Sequence, residues 1–236
     1  MMSLAGHEPH AAGMSGKLNW LRAGVLGAND GIISTAGLVV GVAGATANSH
    51  TLLISGVAGG LAGALSMAVG EYVSVSTQRD TERALIALET RELADDPEGE
   101  LEELIGLYEA KGLSPGLSRE AAEQLTAGNA LAAHLDAELG IDPDDLTNPW
   151  HAGIASFFAF LAGAAIPLLA ILLSPTGLRL AVTMAAVLVG TGLTGFISAH
   201  LGRAPKPPAI VRNLIGGALV MAITYTVGTM IGGAAG

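Results

Sequence analysis

Residues 52–104 constrain this 236-residue chain more than any other stretch. The segment opens apolar and glycine-rich and runs through Ser66-Met67-Ala68-Val69-Gly70-Glu71-Tyr72. It turns strongly charged at Gln78-Arg79-Asp80-Thr81-Glu82-Arg83. Between Glu71 and Asp96 there is neither Pro nor Gly, so no local signal ends a helix there. The pattern predicts one rod that leaves a membrane and continues into water. It carries a carboxylate at the exit, Glu71, and more beyond it at Glu82, Glu89 and Glu92.

The rest of the chain agrees with a membrane protein. Half of the residues are apolar and only 14% are charged, with a mean hydropathy of +0.53, outside the range of ordinary soluble domains. Five apolar segments, about 18–45, 52–77, 152–173, 178–201 and 211–235, each reach the roughly 20 residues that cross a bilayer. The expected fold is an all-α membrane protein of five transmembrane helices, with a helical domain inserted between the second and third. Residues 1–17 lack an apolar core for a secretory signal and are expected to be disordered. With no Cys, thiolate metal sites and disulfides are excluded.

Charge is concentrated rather than spread. Of the 21 acidic residues, 18 lie between Asp80 and Asp145 against four basic ones, a net charge of −14 in that segment. Such a segment repels nucleic acid and attracts cations. The positive-inside rule orients the spans. With a cytoplasmic N-terminus, ten Lys and Arg fall inside and Arg179 alone falls outside. The acidic segment is then cytoplasmic, and the C-terminus lies outside.

Residues 78–150 read as a water-facing helical domain. A first helix continues from span two to about Ala94 and breaks at Asp95-Asp96-Pro97. A second covers about 98–111, with Asp96 or Asp95 as its cap. Gly112-Leu113-Ser114-Pro115 is a turn. A third helix, about 118–127 with Ser118 as cap, precedes a fourth over about 129–139 that ends at Gly140. About 70 residues enclose a limited core, so a second copy or bound metal is expected to support the domain.

Only two acidic residues sit within spans, Asp30 and Glu71. Carboxylates are costly in a bilayer and mark function by default. Met67 lies one turn before Glu71 on the same face; it is either a soft metal ligand or packing filler. In the acidic domain, Glu89-x-x-Glu92 and Glu100-x-x-Glu103 each put two carboxylates on one helix face, and His134-x-x-x-Glu138 adds an imidazole. Carboxylates from several helices with an imidazole are what iron and manganese sites in helical bundles use. Spacing alone leaves a solvated charged face as the alternative. A membrane-anchored di-iron oxidase or peroxidase of ferritin-like type is the competing function; it needs two Glu-x-x-His-like motifs, and this domain offers one His.

Asn29-Asp30-Gly31-Ile32-Ile33-Ser34, the Ser66–Tyr72 motif, the Glu-rich insertion and the five spans together resemble the vacuolar iron transporter family over nearly the whole chain. The resemblance implies a homodimeric secondary transporter that moves Fe2+, with Mn2+ a second candidate, out of the cytosol in exchange for protons. It implies that Asp30, Met67 and Glu71 line the membrane pathway. It also implies that the insertion binds metal through Glu89, Glu92, Glu100, Glu103 and Glu138. Where some relatives carry a methionine one turn before the last of these, this chain has His134, which joins the expected ligand set. The Ala- and Gly-rich composition has a bacterial character, so the expected location is the cell (inner) membrane.

Overall fold

The structure is a computed structural model that describes residues 14–143 and 146–234. Helix follows helix: α1 (Met14–Ala45), α2 (Ser49–Asp95), α3 (Pro97–Ala110), α4 (Pro115–His134), a π turn (Leu135–Leu139), α5 (Pro149–Leu173), α6 (Arg179–Leu201) and α7 (Lys206–Ala234). No strand occurs among the described residues. The chain divides into two compact units. One holds Ser74–Asn148; the other holds Lys17–Val73 and Pro149–Gly236. Helix α2 contributes to both. Its 47 residues extend about 70 Å at 1.5 Å per residue, far more than the ~30 Å hydrocarbon layer needs.

In the larger unit, α1, α2, α5, α6 and α7 are each long and apolar enough to cross a membrane. Lipid gives helices no hydrophobic reason to associate, so small residues that let backbones touch do the work. Helix α1 is the hub. Ile32, Ala36 and Val40 meet Val187 of α6 and Met221 of α7 in one buried cluster. Val39 meets Leu52 of α2 and Ile171 of α5 in another. Gly31 lies directly against the backbone of Phe160 in α5, and Gly228 of α7 against that of Gly41, so neither position has room for a side chain. The glycines of α2 serve the same purpose, Gly60 facing Ala164 and Gly63 the Phe160 ring.

Most of the membrane-length helices begin earlier than the sequence suggests, α1 and α7 by the widest margin. Helix α7 starts at Lys206 and takes Pro207 and Pro208 into its first turn, where a proline's missing N–H costs nothing. The predicted disordered N-terminus falls mostly on residues 1–13, outside the described residues; α1 is already helical at Met14.

The smaller unit follows the sequence reading closely. Asp96 caps α3 by accepting from the Gly99 N–H at 2.9 Å. Helix α4 begins at Pro115, with Ser114 rather than Ser118 at the cap position, and Ser118 is buried one turn further in. Proline's fixed φ suits the first helical position. The predicted boundary between the third and fourth helices survives as a break inside α4. Asn129 is extended there (φ −156°, ψ 95°), and its side chain caps the last turns of α4 by accepting from the Ala132 N–H. Leu104 and Ile105 of α3 pack against Ala122 and Ala137, and Gly140 ends the helix in the left-handed region at φ 63°.

Candidate metal centre

Three helical segments of the smaller unit converge on one point. Helix α2 delivers Glu89, α3 delivers Glu100, and the last residue of α4 delivers His134. One ligand atom from each lies within 4.8 Å of the others. His134 Nδ1 is 3.0 Å from Glu89 Oε1 and 3.6 Å from Glu100 Oε2. The imidazole is fully buried and the Glu89 side chain is 5% exposed. Neither ring nitrogen of His134 makes a hydrogen bond, nor does Glu89 Oε1. Buried polar atoms nearly always have hydrogen-bond partners; here His134 Nδ1 and Glu89 Oε1 face each other at ion-pair distance, an arrangement that a cation between them would complete.

The surrounding charge sharpens this. Burial pushes the Glu89 carboxyl from its ordinary 4.5 up to about 7, and the charges of Glu138, Glu100, Glu92 and Glu103 push it the same way. Glu100 is also raised, first by burial and then by Glu103, with His134 opposing. Of the six residues expected from the sequence, the structure brings three, Glu89, Glu100 and His134, within ligand distance of one another. Glu92, Glu103 and Glu138 are exposed, and their negative charges act on Glu89. Oxygen donors with one imidazole suit Fe2+, Mn2+ or Zn2+ better than a soft metal. The π turn after His134 carries Glu138. Such turns cluster at functional sites, and no sequence signal announces this one.

The membrane carboxylates are placed differently. Asp30 is exposed on this single chain, and its backbone carbonyl accepts from Ser34 Oγ. Met67 packs with the buried Ala64–Phe160–Ala164 cluster. Its neighbours there include the same Phe160 whose backbone Gly31, next to Asp30, lies against. Glu71 is half-buried, one turn further along α2. The structure thus sets Gly31, the residue after Asp30, and Met67 against the same segment of α5. Beside them lies a polar network that the sequence reading missed. Asn29 Oδ1 accepts from Thr194 Oγ1 at 2.8 Å and from Asn213 Nδ2 at 3.3 Å, tying α1 to α6 and α7. Lone polar residues in apolar helices were the available signal.

An all-helical, multi-pass membrane protein with an acidic carboxylate–imidazole cluster in its smaller unit is the class these features define. Residues 21–229 match the VIT family. The chain is 43% identical over 214 residues to a vacuolar iron transporter of Acanthamoeba castellanii, covering 90% of this chain and 79% of that one. It is 37% identical over 217 residues to vacuolar iron transporter homolog 1 of Oryza sativa subsp. japonica, covering 92% and 75%. It is 35% identical to homolog 3 of Arabidopsis thaliana, covering 92% and 86%. The chain belongs to the VIT family, and it is a transporter rather than an enzyme. The di-iron oxidase alternative is set aside; the cluster also has a single His where that chemistry needs two.

Proposed function

We propose that this protein exports divalent metal, Fe2+ foremost and Mn2+ as a second substrate, from the cytosol across the cell membrane in exchange for protons. The observation that carries the reading is the largely buried Glu89–Glu100–His134 cluster, with the charges of three further glutamates acting on it. Its negative potential concentrates cations from the cytoplasm. The names of the relatives point to iron.

In this reading the smaller unit is cytoplasmic and loads metal, Glu71 receives it at the membrane, and Met67 and Asp30 line the passage. A lone carboxylate in a low-dielectric span holds either a cation or a proton. If access to it alternates, that competition gives antiport. The working form is a homodimer. Asp30 is exposed on one chain, and a two-fold axis at α1 and α2 would cover it and double a thin set of ligands.

The test is metal uptake into sealed proteoliposomes containing the full chain, with matched and opposed pH gradients. Uptake that follows the proton gradient, and that slows in Glu100→Ala/Glu103→Ala, supports the proposal. Uptake indifferent to the gradient would rule out antiport.

A further inference from the structure

Arg179, the only basic residue assigned to the outer side by charge, is buried: it is 8% exposed at the first position of α6. Its guanidinium donates to two neutral oxygens, the Ala47 carbonyl at 3.3 Å and Ser49 Oγ at 2.8 Å. The third nitrogen, Nε, is buried without a partner. A buried cation is stable only when an opposite charge accompanies it, and this unit has little to offer. Residues 149–236 contain no Asp or Glu, and Asp30 and Glu71 are the only acids in 17–73. Both are far away. Asp30 lies fifteen residues from the end of α1, about 22 Å along the helix, and Glu71 lies 22 residues from the start of α2, about 33 Å.

A second observation points to what is missing. No side chain caps the first turn of α6, so the positive end of a 23-residue helix is left open beside the guanidinium. The two border one cavity of about 150 Å³, lined by Thr46, Ala47, Thr176, Arg179, Leu180 and Tyr225 among others. Its hydroxyls can donate to an anion, and no carboxylate lines it. Arg179 opens a membrane-length helix, where lipid headgroups lie.

We propose that the N-terminal turn of α6 is a binding site for a phosphate-bearing anion, held by the Arg179 guanidinium and the open backbone amides of that turn. A planar guanidinium and a helix N-terminus are both phosphate receptors, and together they supply the charge that Arg179 lacks. The phosphate comes either from a lipid headgroup or from solution; both offer the same group to the same donors. Occupancy ties the α1–α2 loop to α6, at the end of the spans away from Asp30.

The experiment uses the detergent-solubilised full chain. Thermal unfolding and native mass spectrometry are followed with short-chain phosphatidylglycerol, with a diacylglycerol lacking phosphate, and with inorganic phosphate. We expect phosphatidylglycerol to raise Tm by about 3 °C or more at saturation and to stay bound in the gas phase, while diacylglycerol does neither. An equal response to inorganic phosphate identifies a free anion as the occupant. Arg179→Gln should weaken binding about tenfold or more. Arg179→Lys keeps the charge and should keep a reduced response. Ser49→Ala removes one neutral partner and should leave the response intact. The proposal is overturned if wild type responds to neither phosphate source, or if Arg179→Gln responds fully. It is also overturned if Ser49→Ala loses as much as Arg179→Gln, which would make Arg179 a purely structural latch. Should Arg179→Gln fail to fold, the wild-type, Arg179→Lys and Ser49→Ala comparisons still decide.

Discussion

Metal binding by the acidic unit should weaken steeply with acid, and Glu89 sets where. Its carboxyl stands at about 7 in the folded protein, against an ordinary 4.5. A metal ion needs the ionised form, so binding expels the proton wherever the pH lies below about 7. Each pH unit below that value then costs about a factor of ten in apparent affinity. From pH 7 to pH 5 the loss is about 100-fold, or about 2.7 kcal/mol. Glu89→Gln removes this proton and one ligand together. It should bind metal more weakly at pH 7.5, yet lose far less of its remaining affinity on going to pH 5. The assay is calorimetric titration of the full-length protein with Mn2+, which avoids iron oxidation, at pH 5, 6 and 7.5. Wild-type affinity that is flat across this range would refute the reasoning. So would a Glu89→Gln protein that keeps the full wild-type slope.

The same carboxyl affects stability with the opposite dependence on pH. A folded-state value raised from 4.5 to about 7 means that the folded metal-free protein holds more protons than the unfolded one between those values. The contribution of this carboxyl to the stability of the smaller unit is therefore fully present below about 4.5 and is lost, by roughly 3 kcal/mol, as pH rises through 7. Hydrogen exchange of α3 and α4 in chelator-treated protein checks this, and added Mn2+ should reverse the loss at pH 7.5. Glu100→Ala/Glu103→Ala should lower metal stoichiometry without unfolding the membrane helices, as read by calorimetry and circular dichroism. Gly31→Leu drives a side chain into the Phe160 backbone and should destabilise by at least about 1–3 kcal/mol, visible as a lower Tm in detergent. Cysteine pairs introduced across α1 of two copies should crosslink if the homodimer reading holds; a monodisperse monomer that still transports would remove it.

Much of the fold was readable because its causes are local. An uninterrupted run from Glu71 to Asp96 has nothing to stop it, and it is helical to Asp95. Asp96-Pro97 is a stop and a cap at once, and Gly140 supplies the left-handed exit. The start of α4 was misplaced because Ser118 and Ser114 are both adequate caps, and the choice fell to Pro115. The acidic residues were readable as candidates, since each i, i+3 or i, i+4 pair lies on one face of its own helix. Their ranking was not. Glu89 and Glu92 look alike in sequence, yet only Glu89 is buried, because the packing of α3 and α4 onto α2 decides which is covered. The Asn29–Thr194–Asn213 network and the bonding of Arg179 are spaced more than 100 residues apart in the chain, and no local pattern encodes a partner at that distance.

The central claim is that Asp30 carries metal and protons by turns. Asp30→Asn keeps the volume and a carbonyl oxygen but cannot titrate. Metal uptake into vesicles, measured for wild type and Asp30→Asn at matched and opposed pH gradients, tests the claim most directly. The account predicts gradient-driven uptake for wild type and loss of that dependence in the variant, whatever metal still leaks through. Wild-type uptake rates with unchanged response to the gradient in Asp30→Asn would contradict it.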